Sequence, residues 1–241
     1  MNISNSDITR PDMNRTCPER DIWNELLQLD AKHMLELGCG RAEITHAIAT
    51  GGPGRSMLAL EVDTIQHTLH QQISDLPNVE FIMAGAESIP CPANSFDVAF
   101  MFKSLHHVPL ALMDKAFEEI HRVLKPGGFA YISEPIFAGD FNDILKMFHN
   151  EEQVRRAAFE ATRRAVNAGL FTLASQTFFN APMRFADFSE FENKILAATH
   201  TKHSLSPELY VAVKGKFETH MSPDGANFLM PIRVDLLQNV K

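Results

Sequence analysis

A chain of 241 residues with 45% hydrophobic and 22% charged side chains has the length and balance of one large globular domain. A formal net charge of −8 argues against a general nucleic-acid binder, because phosphate contacts need a basic face. Cys17, Cys39 and Cys91 show no paired metal spacing, and their odd number speaks against a disulfide framework and for a reducing, cytoplasmic setting.

The opening residues are polar and lack a hydrophobic signal core, so 1–19 read as a loose tail. No apolar run approaches the roughly 18 residues of a membrane span. Pro18 suits a helix start, and Ile22, Trp23, Leu26, Leu27 and Leu29 have the spacing of an amphipathic helix covering the sheet edge. Met34, Leu35 and Leu37 form a strand, Gly38 and Gly40 a turn, and Glu43 to Ala49 the start of a helix. Two glycines let the backbone turn sharply and approach a ligand, although a tight turn without a ligand uses the same residues. Glu36 lies inside the apolar run, where an unpaired charge is costly, so a partner is implied.

Gly51 to Gly54 is a breaker cluster. Residues 56–63 run apolar until Glu61 and Asp63, as a buried parallel strand does at its ligand-facing end. A helix over 64–75, a third strand over 79–83, a loop over 85–94 and a fourth strand over 95–102 follow. Lys103 to Pro109 then precede a helix ending at Leu124, the Lys125-Pro-Gly-Gly128 stop and a fifth strand over 129–133. Strands alternating with helices predict an α/β fold, a doubly wound and mainly parallel seven-stranded sheet. Ligand chemistry gathers at the carboxyl ends of such strands.

After Glu134 the pattern changes, and 137–191 is expected as a helical, substrate-side insertion after the fifth strand within a single domain over 20–241. Ten of the 18 phenylalanines fall there, enough to wall an apolar pocket or to form a separate aromatic core. Residues 187–198 read as helix, Ala198 to His203 as a strand, Ser206 to Met221 as a helix and Asn227 to Leu237 as the closing strand.

Leu35-Glu-Leu-Gly-Cys-Gly40, the acidic ending of Leu58 to Asp63, Phe96 to Phe102 with Ser104-Leu-His-His-Val108, and Arg122 to Gly128 resemble, in order, motifs of the class I S-adenosylmethionine-dependent methyltransferases, above all the small-molecule group. The resemblance covers about residues 30–135. It implies S-adenosylmethionine as cofactor. Gly38 and Gly40 would pass close to its methionine portion, with Glu36 and Cys39 in the same motif. Glu61 would take the ribose hydroxyls, next to Val62, and Gly85, Ala86 and Glu87 would lie by the adenine. Phe102 and Lys103 would line the region near the sulfonium, and His107 would face the substrate mouth as the candidate catalytic residue. Two positions depart from the pattern: Ala42 replaces the third glycine, and Gly85 replaces an acidic residue, which leaves amino-group recognition to backbone carbonyls or Glu87.

Methyl transfer from a sulfonium is an in-line displacement, so the protein mainly supplies proximity and orientation, and a base only where the acceptor must lose a proton. His106 or His107 suits that work, with loop packing as the plain alternative. Glu134 could hold a polar substrate group or be a solvated or paired strand end. His149, His200, His203 and His220 show no recognisable metal-ligand set, so no metal is expected. Arg155-Arg156 and Arg163-Arg164 could make an anion-binding stripe, but Glu151, Glu152 and Glu160 interleave with them, which favours a solvated helix face laced by charge pairs. Cys39 is given no nucleophilic role. The resulting expectation is a cytoplasmic methyltransferase of a small, partly apolar molecule, with no nucleic-acid or membrane partner and room for a homodimer. A non-catalytic S-adenosylmethionine-binding regulatory protein and an RNA or protein methyltransferase are the alternatives.

Overall fold

The computed structural model describes residues 13–199, 201 and 203–241, so most of the expected tail and His200 lie outside the described residues. In chain order, α1 (Glu19–Leu26), β1 (His33–Leu37), α2 (Glu43–Ala49), β2 (Ser56–Glu61), α3 (Thr64–His70) and β3 (Val79–Met83) form the first half of the sheet. Then come β4 (Phe96–Phe102), α4 (Met113–Val123), β5 (Leu124–Pro135), α5 (Asp140–Leu145), α6 (Glu152–Asn167) and β6 (Phe171–Phe185). The chain closes with α7 (Phe188–Phe191), α8 (Pro207–Glu218), β7 (Met221–Ser222) and β8 (Gly225–Asn239).

The strand order is β3-β2-β1-β4-β5-β8-β6, with the two-residue β7 paired to β8. β1 to β5 are mutually parallel, and β8 runs antiparallel to both β5 and β6. Strand alternation sends side chains to two cores. Leu35, Leu37, Leu58, Leu60, Met101 and Ile132 pack with Phe117 and Ile120 of α4 and Ala158 and Ala161 of α6. Met34, Met57, Phe100, Phe102, Tyr131 and Leu236 pack with Ile22 and Trp23 of α1 and Ile48 of α2. With both faces covered, the central strands are near-continuous apolar runs, which is why they were readable.

Three expectations are corrected. α1 covers a sheet face rather than an edge, and Trp23 meets Phe102 edge-on at 5.4 Å. Within the stretch expected as helical, residues 171–185 form β6, paired with β8 along its length. Pro182 is tolerated there because β6 is an outer strand of the path, and the isolated bridge between Thr16 and Asn180 covers part of its free side. Ala198 to His203 form no strand among the described residues. The place beside β8 is already taken by β6, and Thr199 instead accepts a hydrogen bond from Gln66 of α3 at 2.9 Å.

The phenylalanines divide among the cores. Phe141, Phe185, Phe188, Phe191, Phe217 and Phe228 form an aromatic core between α5, α7, α8 and the adjoining ends of β6 and β8. Phe171 and Phe179 join the two sheet cores. The stretch thus supplies its own packing.

Asp63 caps α3, its carboxylate accepting from the N–H groups of Ile65 at 2.8 Å and Gln66 at 3.4 Å. Asp63→Ala should lower stability by about 1 kcal/mol, the typical worth of such a cap, read as a shifted urea midpoint at unchanged slope.

Candidate functional site

The turn after β1 is held from three sides. Gly38 has φ +76°, and a Cβ there would lie 2.7 Å from Cβ of Ser104, whose hydroxyl donates to the Leu37 carbonyl at 2.6 Å. This position therefore needs glycine for both conformation and space. Gly40 has φ +52° and open space where a Cβ would stand. Its N–H donates to Glu61 Oε2 at 2.7 Å, and its carbonyl meets His70 Nε2 at 2.7 Å, so both ends of this residue are pinned. Ala42, at the third glycine position, adopts the left-handed conformation with φ +60°, which for a residue with a Cβ costs roughly 1 kcal/mol.

The implied partner of Glu36 is Thr45, whose hydroxyl donates to the carboxylate at 2.7 Å. Burial pushes the Glu36 carboxyl up to about 7, against the opposing pull of Thr45 and Lys103. Burial also raises the Cys39 thiol well above its ordinary range, so it stays neutral and non-nucleophilic. Glu61 Oε1 accepts from the N–H groups of Val62 at 2.8 Å and Asp63 at 2.9 Å, leaving the Val62 side chain 67% exposed. At the next strand end Ala86 is buried and Glu87 half-buried, and a Cβ on Gly85 would collide with the Glu87 carboxylate.

Phe102 is buried against Trp23, and Lys103 follows it with φ +55°. The Lys103 N–H donates to the Ser133 carbonyl at 2.7 Å, and its ammonium to Glu19 of α1 at 2.8 Å. Glu19 also accepts from the Ser133 hydroxyl. Glu19, Glu36 and Glu61 thus share one electrostatic neighbourhood with Lys103. Glu19 was not legible as a site residue, because its partners lie 84 and 114 positions away.

A second polar cluster occupies the other face of the sheet, under α6. His106 is buried, its Nδ1 2.6 Å from Glu134 Oε2, while Glu134 Oε1 accepts from the Leu105 N–H at 2.9 Å. Burial alone would lower the His106 pKa, but Glu134 and then Glu151 raise it to about 9. His106 in turn keeps Glu134 below the usual carboxylate range despite its burial. Glu134 is therefore a buried paired group and not a solvated strand end. Arg155, expected on a solvated face, is also buried, donating to Glu151 at 2.6 and 3.1 Å and to Asn142 at 3.0 Å. Arg156 and Arg163 do pair on the surface with Glu152 and Glu160. His107 is exposed, its ring 4.1 Å from that of His106.

The candidate residues thus fall into two groups. Glu36 to Gly40, Glu61 and Lys103 meet at the ends of β1, β2 and β4, with Gly85 to Glu87 beyond β3, whereas His107 belongs with the His106–Glu134 cluster. Among the described residues no helix is long and apolar enough to cross a membrane.

Residues 35–132 match the family described as a methyltransferase domain. The chain is 32% identical over 130 residues to the ubiquinone/menaquinone biosynthesis C-methyltransferase UbiE of Hydrogenovibrio crunogenus, covering 47% of this chain and 50% of that protein. It is 37% identical over 95 residues to the arginine-hydroxylase NDUFAF5 of Rattus norvegicus, covering 39% of this chain and 26% of that protein. The chain therefore spans half or less of the length of these curated relatives. Among solved structures, the YcgJ protein of Bacillus subtilis superimposes with a TM-score of 0.60 at 15% identity, over 92% of this chain and 97% of that one.

Proposed function

We propose that this chain, whose residues 35–132 match a methyltransferase domain, is a class I S-adenosylmethionine-dependent methyltransferase that transfers a methyl group to a small, partly apolar molecule. The observation that carries the proposal is the strand-end group in which Glu61 grips the Gly40 turn beside buried Glu36. Three carboxylates, Glu19, Glu36 and Glu61, face a single Lys103, a balance that suits a ligand bearing ammonium and sulfonium charges. The open space at Gly40 fits close approach of that ligand to the backbone. The relative named for quinone biosynthesis supports a partly apolar acceptor.

Bound S-adenosylmethionine supplies an already activated methyl group, so the chain's task is to orient donor and acceptor. Glu61 Oε2 accepts a single backbone hydrogen bond and keeps a lone pair for a ribose hydroxyl. Gly38, Cys39 and Gly40 would receive the methionine end, with Glu36 below them, and Gly85, Ala86, Glu87 and Val62 the adenine side. Phe102 and Lys103 would close the site near the transferred group. His107 is the imidazole we assign to the acceptor side.

Calorimetry with S-adenosylhomocysteine should show one binding site per chain. Labelled donor with a panel of small quinol, phenol and lipid-like acceptors should yield a methylated product. Failure of the folded chain to bind S-adenosylhomocysteine would remove the proposal, and binding without any transfer would favour the regulatory alternative.

A further inference from the structure

Three polar groups from two distant parts of the chain converge on one point under α6. His106 and His107 follow β4, and Glu151 precedes α6, yet one donor atom from each lies within 4.8 Å of the others. His106 Nε2 and Glu151 Oε1 stand 3.6 Å apart. That is too long for a hydrogen bond, but close to the about 3.4 Å that separates two ligands of a tetrahedral zinc-type ion with bonds near 2.1 Å.

The surroundings prepare these atoms. Glu134 can only accept, so it fixes the N–H of His106 on Nδ1 and turns the Nε2 side toward Glu151. A carboxylate behind a ligating imidazole is the usual second layer of a metal site, and here it is anchored by the Leu105 N–H. Arg155 engages Glu151 through Oε2, leaving Oε1 to face the histidines. His149 Nε2 lies 3.0 Å from that same Oε1, so a further imidazole stands at the rim.

We infer that His106, His107 and Glu151 bind a divalent transition cation of the zinc class. The donor set, two imidazoles and one carboxylate, suits such an ion and leaves a coordination position open for an oxygen or nitrogen ligand. The competing occupant of the same gap is a second proton on His106, which would leave an imidazolium between Glu134 and Glu151. Cation binding stands on these residues alone. Only its use, holding an acceptor heteroatom near the transferred methyl, rests on the methyltransferase reading.

Cobalt(II) separates the two occupants, because its ligand-field bands report the donor set. Titration of the chelator-treated full chain should give a saturable visible spectrum at one cobalt per chain, displaced by zinc. His107→Ala, an exposed position, and Glu151→Gln should each weaken binding by roughly 100-fold or more, beyond the roughly 10–100-fold typical of losing a partner behind a ligand, with circular dichroism confirming the fold. The inference is overturned if no saturable band forms, or if the band survives unchanged in both variants, as cobalt on unrelated surface histidines would. Calorimetry with S-adenosylhomocysteine on the same samples keeps this outcome apart from the cofactor proposal.

Discussion

Glu61→Gln should bind S-adenosylhomocysteine on the order of 10–100-fold more weakly than the native chain, and almost as poorly as Glu61→Ala. The two carboxylate oxygens accept three backbone N–H groups, from Gly40, Val62 and Asp63. A glutamine is the same size but replaces one acceptor with an NH2 group, which must face an N–H wherever it turns. If it faces Gly40, the glycine turn loses its hold. If it faces Val62 and Asp63, two donors are left against it. Losing a charge-assisted hydrogen bond costs about 1.5–3 kcal/mol, and each 1.4 kcal/mol is a factor of ten in affinity. A ribose contact on the free lone pair adds to the loss. Glu61→Asp keeps the charge but shortens the reach, and should fall between. Native affinity in Glu61→Gln would show that neither the turn nor the ribose depends on this carboxylate.

The sheet was legible because burial on both faces makes its strands apolar, and because charge interrupts that pattern at the ends that matter. Glu36 and Glu61 could be singled out for that reason, and Glu36 did have the partner its burial required. What escaped the sequence was pairing between distant segments. β6 was hidden because Pro182 breaks its pattern and because β8, the strand it pairs with along its length, lies far along the chain. Arg155 and Glu151 stand one helical turn apart, and that spacing looks the same on a solvated face as in a buried pair. His106 could be flagged but not distinguished from His107, because the difference lies in Glu134, 28 positions away, which takes one imidazole and leaves the other exposed. Arg233 and Asp235 were likewise passed over in the closing strand, although they form a buried pair at 2.8 Å, with the guanidinium stacked 3.9 Å over Phe159. Alternation places both on the α6 face.

Glu36→Gln should stabilise the ligand-free chain at pH 8 by about 3 kcal/mol, and that gain should vanish on acidification. Burial raises this carboxyl from 4.5 to about 7, and about 1.4 kcal/mol for each tenfold change in proton affinity over that span gives the expected gain. Above pH 7 both folded and unfolded chains are ionised, and the folded state bears the full cost of a buried charge. Between pH 7 and 4.5 the folded chain holds a proton that the unfolded chain has lost, so native stability rises as pH falls. Below 4.5 both are neutral and the cost is gone. Glutamine carries no charge at any of these values and still offers an oxygen to Thr45, so the variant-minus-native difference from urea unfolding should be large at pH 8 and near zero at pH 4.5. A difference independent of pH would mean that Glu36 titrates normally. The same property makes a second measurement informative on the cofactor reading. A ligand ammonium docking near Glu36 favours the ionised carboxylate, so S-adenosylhomocysteine binding near pH 6.5 should release part of a proton, seen as a binding enthalpy that changes with buffer ionisation enthalpy. In Glu36→Gln that buffer dependence should disappear. Its persistence would move the released proton to another group, and with it the site that meets the ligand's charge.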